Sequence, residues 1–312
     1  MTARATAIPA AFDPGRAEGR GSADTARGFA TAALLGWRME ANWTDPLLFF
    51  IYSVAKPVAS ALILVFMLEV IAGPGARGLR GFVIVGSALW AFVMSGMAGL
   101  AWSVLDDRER YRMLKYVYVS PSDFLVLLVG RGVARIAIGA MGALIVLAVG
   151  VVFLGLQFDP GAVDWAMLGI VLLVGLGAIV ALGVILAAVC MQARQESWSY
   201  PEAVAGALFM LAGAVFPLAV LPLPAQAAGL ALPLTWWLEG VRLALFPGGR
   251  SAIGGEGSLW TAWTGSAAPD AGAIVGALLA TSAVITLVAA AAFRVSERRA
   301  KDRGLIDRTT GS

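Results

Sequence analysis

Histidine is absent from the sequence, and cysteine occurs once, at Cys190. Without histidine the chain lacks the usual general base, the Ser–His and Cys–His nucleophile pairs and the HExxH zinc site. A single cysteine excludes an intrachain disulfide and any metal site built from several cysteines. The absence of histidine and the single cysteine exclude most of the usual catalytic sites. The sequence therefore predicts no catalytic residue and no metal ligand.

Charge is also scarce. Charged residues make up 14% of the chain and hydrophobic residues 59%, whereas ordinary globular domains carry about 25% charged residues. Six long apolar stretches, separated by short polar breaks, lie at roughly 47–72, 81–104, 124–155, 163–190, 202–220 and 271–293. About 20 apolar residues in a helix cross a hydrocarbon core of about 30 Å. The sequence therefore predicts an all-α integral membrane protein with six transmembrane helices.

The two ends of the chain differ from this apolar body. Residues 1–27 are rich in Ala, Gly, Arg and Thr and lack a continuous apolar run, so we expect a disordered cytoplasmic tail and not a cleaved signal peptide. Residues 28–43 carry apolar side chains at helical spacing, which predicts a helix lying in the membrane interface. Residues 296–312 form a basic tail after the transmembrane domain of 28–295.

The distribution of Lys and Arg predicts the orientation. With the N-terminus inside, most of them fall in cytoplasmic segments, and the far side receives only Arg77, Arg80, Arg242 and Arg250. Cytoplasmic loops are the ones enriched in these residues. We therefore expect both termini in the cytoplasm of a multi-pass plasma-membrane protein. The net charge of +3 then reflects loops facing anionic lipid, and no nucleic-acid partner is expected.

Charged residues inside or beside the apolar stretches admit two interpretations. Arg131 and Arg135 are four residues apart and share a helix face, so they could line a substrate path. They could equally extend from the first turns of an overlong helix into the cytoplasmic interface. Glu69 could line the path, pair two helices or lie at the outer interface, and Lys56 could extend to the inner interface.

The segment after the second crossing, residues 105–123, is too long and too charged for a simple turn. Asp106 and Asp107 suit a helix N-terminus, Lys115 suits its end, and Pro121 stops it. This pattern predicts a short amphipathic helix on the cytoplasmic side. It is either a solvated connector or a docking element for a soluble partner.

The segment between the fifth and sixth crossings is apolar but broken by prolines. Pro217, Pro222 and Pro233 leave pieces that are too short to span and too apolar for a water-exposed loop. Non-helical backbone at membrane depth requires protein or a cavity around it, which favours a re-entrant helical hairpin on the outer side. The alternative is a pair of interfacial helices lying flat. Glu239 and Arg242, three apart, could pair on the second arm.

These two segments resemble the permease subunits of ABC type-2 exporters, the group that contains antibiotic-resistance, polysaccharide and lipid export systems. The residues that carry the resemblance are Asp107-Arg108-Glu109, Val119-Ser120-Pro121, Ala212–Pro217, Leu221-Pro222, Pro233–Thr235 and Glu239–Arg242. The resemblance covers about residues 28–295. Members often have a Gly shortly after the acidic-Arg-Glu run, where this chain has Tyr111.

The resemblance implies two permease subunits, identical or different, that form the pathway and two separate ATPase subunits that drive it. It implies a coupling helix at 106–119 with the ATPase contacts Asp107, Arg108, Glu109, Tyr111, Arg112, Met113 and Lys115. It also implies that the hairpin at 221–246 helps to close an outer gate. The gate residues would be Pro217, Pro222, Pro233, Thr235, Glu239 and Arg242.

The sequence has no GxxxxGK[ST] phosphate loop, so ATP and Mg are expected on the partner subunit and no cofactor on this chain. The expected function is outward export of an amphipathic cargo, whether drug-like, lipid-like or saccharide, with multidrug resistance as one possible role. The alternatives are a secondary transporter or channel, and an integral membrane enzyme. A secondary transporter or channel would be expected to show inverted repeats or several polar groups at the midplane, and neither is evident in the sequence. No set of residues suited to catalysis is evident for a membrane enzyme.

Overall fold

A computed structural model of the chain describes residues 22–41, 46–73, 77–113, 116, 123–193 and 198–302. The regular structure within these ranges is helical. The helices, in chain order, are α1 Ser22–Ala41, α2 Pro46–Ala72, α3 Arg77–Val93, α4 Gly99–Leu105, α5 Phe124–Phe153, α6 Trp165–Gln192, α7 Ser199–Leu211, α8 Leu223–Leu230, α9 Pro233–Leu245, α10 Leu259–Thr264 and α11 Ala271–Asp302.

Two π-helical segments join α3 and α4 into one longer rod. Met94–Ala98 lies between them, and Asp106–Arg110 extends α4. Residues 77–110 are thus helical without a break, over about 50 Å at 1.5 Å per residue. We call residues 77–110 the long helix. It is the most deeply buried of the helices that could cross a membrane, and it packs against α2, α5 and α6.

Within the described ranges, five helices are long and apolar enough to cross a membrane: Val54–Ala72, Gly78–Arg110, Phe124–Phe153, Trp165–Gln192 and Ala271–Ala300. They correspond to the first four and the last of the predicted crossings. The face of α2 that turns away from the bundle exposes Ile63, Phe66, Val70 and Ile71, as expected of a surface that meets lipid or another subunit.

The predicted continuous fifth crossing over 202–220 is not observed. Helix α7 ends at Leu211, and its 13 residues reach about 20 Å. The physical cause is local: Gly213 has a left-handed φ of 67°, and Pro217 precedes a single 3₁₀ turn, Leu218–Val220. The chain then continues through α8 and α9, so 199–245 is a series of short helical pieces.

The ends of the chain also differ from expectation. Helix α1 begins at Ser22 and ends at Ala41, so it starts six residues before the predicted 28–43 helix and takes in part of the tail predicted to be disordered. Residues 1–21 lie outside the described part. Helix α11 continues to Asp302, into the predicted basic tail. Helix α1 packs along α5 through glycines: Gly36 lies against the Arg131 backbone, and Gly130 lies against the carbonyl of Phe29.

Close packing between α6 and α9 depends on the absence of a side chain. A Cβ placed on Gly175 of α6 would overlap the indole of Trp237 on α9, and the Trp237 side chain is fully buried. Small residues allow helices in lipid to approach closely. Gly177, two residues further along α6, has no atom near the corresponding position. The chain therefore offers a matched pair of glycines.

We expect Gly175→Ala to lower the free energy of unfolding by about 1–3 kcal/mol, because the new methyl group overpacks the contact with Trp237. Gly177→Ala should leave stability unchanged or raise it by up to about 1 kcal/mol, because alanine favours the helix. Unfolding of the purified chain in mixed micelles measures both. Equal effects of the two substitutions would contradict this account of the α6–α9 contact.

Candidate functional site

The end of the long helix carries two consecutive acids, Asp106 and Asp107, within the π segment Asp106–Arg110. The sequence pattern had predicted a separate helix that starts at these residues. That prediction is wrong, since they lie at the C-terminal end of a helix that continues from the second crossing. Acidic groups are unfavourable at this end because they add to the negative pole of the helix dipole. Cations from other helices must offset them.

Arg135 of α5 supplies one of these cations. Its Nη2 lies 2.7 Å from Oδ2 of Asp106 and 2.6 Å from Oε1 of Glu40 on α1. One guanidinium therefore joins three helices: α1, α5 and the long helix. A charge-assisted contact of this length is among the stronger polar interactions in proteins.

Arg131, one turn earlier on α5, supplies the second cation. Its Nη1 forms an ion pair with Oδ1 of Asp107, and the two side chains are 8% and 5% exposed. The two arginines, one helical turn apart on α5, thus each meet one of the two adjacent acids across the interface. We call Glu40, Asp106, Asp107, Arg131 and Arg135 the charge cluster. Both arginines are engaged in it, and a role for them in lining a path stays a prediction.

Arg108 is buried beside the charge cluster and binds the end of α6. Its Nη1 donates to the backbone carbonyls of Cys190 at 3.1 Å and Ala193 at 3.3 Å, and its Nε donates to Glu109 at 2.6 Å. The last carbonyls of a helix lack partners within the helix, and arginine is well suited to bind them. The family resemblance implied an ATPase contact for Arg108, whereas its side chain faces the interior of this chain.

Tyr111, Arg112 and Met113 follow the π segment and turn the chain away from the long helix. The N–H of Met113 donates to the carbonyl of Asp107 at 2.8 Å, and Arg112 has a positive φ of 50°, which is rare for a bulky residue. The side chains of Tyr111 and Arg112 are exposed. We call residues 111–113 the coupling turn. Lys115 and most of the predicted helix beyond it lie outside the described residues.

At the opposite end of the bundle, Arg242 of α9 is buried among backbone carbonyls. Its Nη1 donates to Gly213 at 2.9 Å and its Nη2 to Ala214 at 2.5 Å, and its guanidinium lies 3.8 Å from the ring centre of Phe82 on the long helix. Glu239 accepts a 2.8 Å hydrogen bond from the N–H of Ala252. Each side chain therefore has hydrogen-bond partners of its own, in addition to the pairing of Glu239 with Arg242 that the sequence spacing allows.

The prolines of this region mark helix starts. Pro217 precedes the 3₁₀ turn, Pro222 precedes α8, and Pro233 is the first residue of α9, where a missing N–H has no consequence. Thr235, which is fully buried, donates to the carbonyl of Gly229 at 2.6 Å and ties α9 to α8. We call α8 and α9 the short hairpin. Its far end lies at the start of α6, where Asp164 N–H donates to Ala244 at 3.0 Å.

Glu69 lies near the end of α2 and forms an ion pair with Arg80 of the long helix; its side chain is 38% exposed. Arg80 also donates to the carbonyl of Leu154 at 3.3 Å. This contact joins α2, the long helix and the end of α5 near the short hairpin. The geometry therefore gives Glu69 a helix-pairing contact, and a role in lining a path stays a prediction.

A family model described as ABC-2 type transporter matches residues 30–246, more than two thirds of the chain. The chain belongs to the ABC-2 type transporter family. No curated protein matches it significantly.

The ABC-2 match extends from α1 to the end of α9 and so contains both the charge cluster and the short hairpin. Sequence reasoning had singled out Asp107, Arg131 and Arg135 but had not connected them. It also gave no role to Glu40 beyond its place in the interface helix. The signal available was a pair of adjacent acids and a pair of arginines one helical turn apart, but nothing in the sequence shows which helices meet.

We expect Arg131→Gln to destabilise the ABC-2 chain by about 3–5 kcal/mol, because it leaves the carboxylate of Asp107 buried without its partner. The double variant with Asp107→Asn should recover part of that loss, because neither charge then remains buried. Arg112→Gln, at an exposed position, should stay within about 0.5 kcal/mol of the native chain. Unfolding in mixed micelles measures all three. Additive effects of the two cluster substitutions would show that the pair is not coupled.

Proposed function

We propose that this chain is the permease subunit of an ATP-driven exporter that works with a second permease copy and with a separate ATPase on the cytoplasmic side. Membership of the ABC-2 family supports a transport role in the membrane. The observation that carries the coupling mechanism is the charge cluster. Together with Arg108, it ties the coupling turn to α1, to α5 and to the end of α6.

ATP and Mg bind to the partner in this proposal. The chain has no phosphate loop, so energy must arrive as mechanical work at a contact surface. The coupling turn suits this contact because Tyr111 and Arg112 are exposed and stand at the end of a rigid element. A Tyr and an Arg are also the residue types enriched at protein interfaces.

Displacement of the coupling turn is transmitted along the long helix. The π segment Asp106–Arg110 continues directly into that helix, and the two arginines of α5 hold its end by ion pairs. At the other end of the same helix, Phe82 lies against the guanidinium of Arg242 in the short hairpin. One helix thus connects the ATPase contact with the outer gate over about 40 Å. The transition is a rigid-body movement between two states.

The outer gate in this proposal is the short hairpin, dipping into the membrane from the outside. The contacts of Trp237 with Gly175 and of Ala244 with Asp164 support it, because they place α9 along the first eleven residues of α6. Opening requires the Arg242 contacts with Gly213 and Ala214 to shift. The cargo leaves between the two permease copies, and its apolar surroundings favour an amphipathic molecule.

The test separates docking from folding. We expect Arg112→Glu to reduce ATP-dependent transport and co-purification of the ATPase by about tenfold or more, equal to about 1.4 kcal/mol of contact energy. The unfolding midpoint of the permease should not change, because Arg112 is exposed. Arg298→Glu, an exposed charge reversal on α11, is the matched control and should leave transport unchanged.

Charge reversal at Arg108 is a second and different case. Its guanidinium is buried against α6, so we expect Arg108→Glu to destabilise the permease itself.

Transport at the native rate with Arg112→Glu would overturn the docking role of the coupling turn. Cargo movement by the purified chain without any ATPase would favour a secondary transporter or a channel instead.

A further inference from the structure

We propose that a cavity between α2, the long helix and α5 binds an amphiphile with an anionic headgroup, with Lys56 as its counter-ion. The cavity has a volume of about 360 Å³, within the range of small-molecule sites. Its lining is mainly apolar, with Trp90, Trp102, Leu64 and Phe209 among the contributing residues. We call it the Lys56 cavity.

The Lys56 cavity lies directly beyond the charge cluster, toward the centre of the bundle. Ile138 and Gly142 of α5 line it, three and seven residues after Arg135. At 1.5 Å per residue, this places it within about 10 Å of the cluster. With the proposed orientation, that level is the inner leaflet, near the boundary between headgroups and acyl chains.

Lys56 has no ion-pair or hydrogen-bond partner among the described residues, and its side chain is exposed. It lies two residues inside the candidate span Val54–Ala72. An ammonium group at membrane depth is costly unless an anion or water reaches it. The neighbouring acids Asp106 and Asp107 are already paired with the arginines of α5. An anion that pairs with Lys56 would therefore come from outside the charge cluster.

The polar and apolar parts of the cavity are arranged as an amphiphile requires. Ser60 follows Lys56 by one helical turn on the same face, and both residues line the cavity. The rings of Trp90 and Phe209, with centroids 5.0 Å apart, form part of the apolar wall. A phosphate or carboxylate beside Lys56 and a hydrocarbon or aromatic body along this wall satisfy both parts.

The long helix departs from α-helical geometry where it borders the cavity. Met94 and Ser95, in the π segment Met94–Ala98, both contribute to the lining. Such π segments are frequent at functional sites. Ser95 donates a 2.5 Å hydrogen bond to the carbonyl of Arg135 and so connects the cavity wall to the charge cluster. This second observation supports a binding role independently of the charge of Lys56.

This proposal names the cargo class of the exporter proposed above and rests on that function for its role in transport. Binding itself needs no ATP, so it can be measured on the full-length permease alone. If binding holds but no ATPase co-purifies, the proposed function fails and the site stands. If an ATPase drives transport but anionic amphiphiles do not bind, the assignment of the cargo class fails alone.

The experiment uses the full-length chain in phosphatidylcholine nanodiscs that carry either brominated phosphatidylglycerol or brominated phosphatidylcholine. Bromine quenches tryptophan fluorescence at short range, and Trp90 and Trp102 report on the cavity by difference from Trp90→Phe and Trp102→Phe variants. We expect stronger quenching of both residues by the anionic lipid. Lys56→Gln should weaken this preference about tenfold, whereas Lys56→Arg should retain it.

Two controls make the outcome decisive. Arg298→Gln removes an exposed charge on α11 outside the cavity and should leave the preference intact, which separates the site from general attraction of basic surfaces to anionic lipid. Free glycerol phosphate should not displace the lipid, because it has no apolar body. Unfolding midpoints verify that every variant is folded.

A preference for the anionic lipid that survives in Lys56→Gln would overturn the proposal. So would quenching that the Trp90→Phe and Trp102→Phe variants leave unchanged, since the lipid would then bind elsewhere. Displacement by glycerol phosphate would show a headgroup site without the apolar component. Protection of the cavity from lipid by a second copy of the chain would identify it as a subunit interface.

Discussion

Two adjacent acids at the C-terminal end of a helix, one half-buried and one buried, organise one half of this molecule. The C-terminal end of a helix repels negative charge, yet the long helix ends in Asp106 and Asp107. This repulsion is offset only when α5 brings Arg131 and Arg135 against the two acids. Glu40 then attaches α1 to the guanidinium of Arg135. The local instability of one helix end thus makes the docking of its neighbours obligatory.

The same logic separates side chains that serve the fold from those available to a partner. Arg108 is consumed by the carbonyls at the end of α6, whereas Arg112, four residues later, is exposed on a strained turn. The charged residues between Asp106 and Arg112 therefore divide into an inner set, which faces the bundle, and an outer set, which is exposed. Arg108, in the inner set, stabilises the bundle, and Arg112, in the outer set, is exposed. In the proposed exporter, an ATPase that pushes on the outer set acts on several helices together.

Hydropathy predicted the long helices well because the bilayer imposes a length on any helix that crosses it. It failed at 202–220, where composition is apolar throughout and the break depends on the backbone of Gly213 and on Pro217. Helix-end rules failed at Asp106 because they consider one helix at a time, while the compensating arginines lie more than twenty residues away. The partners of Arg108 and Arg242 could not be predicted, since both bind backbone carbonyls that become available only after folding.

The π segment Met94–Ala98 has a geometric consequence for the long helix. Each residue of an α-helix turns the chain by about 100°, so a π turn, which holds one residue more than an α turn, resets the angular relation between the two halves of the rod. The face that presents Asp107 and the face that presents Phe82 are thereby oriented separately. If the π turn tightened into an α turn, one half of the long helix would rotate relative to the other without bending. A helix of this kind can therefore transmit rotation as well as movement along its axis.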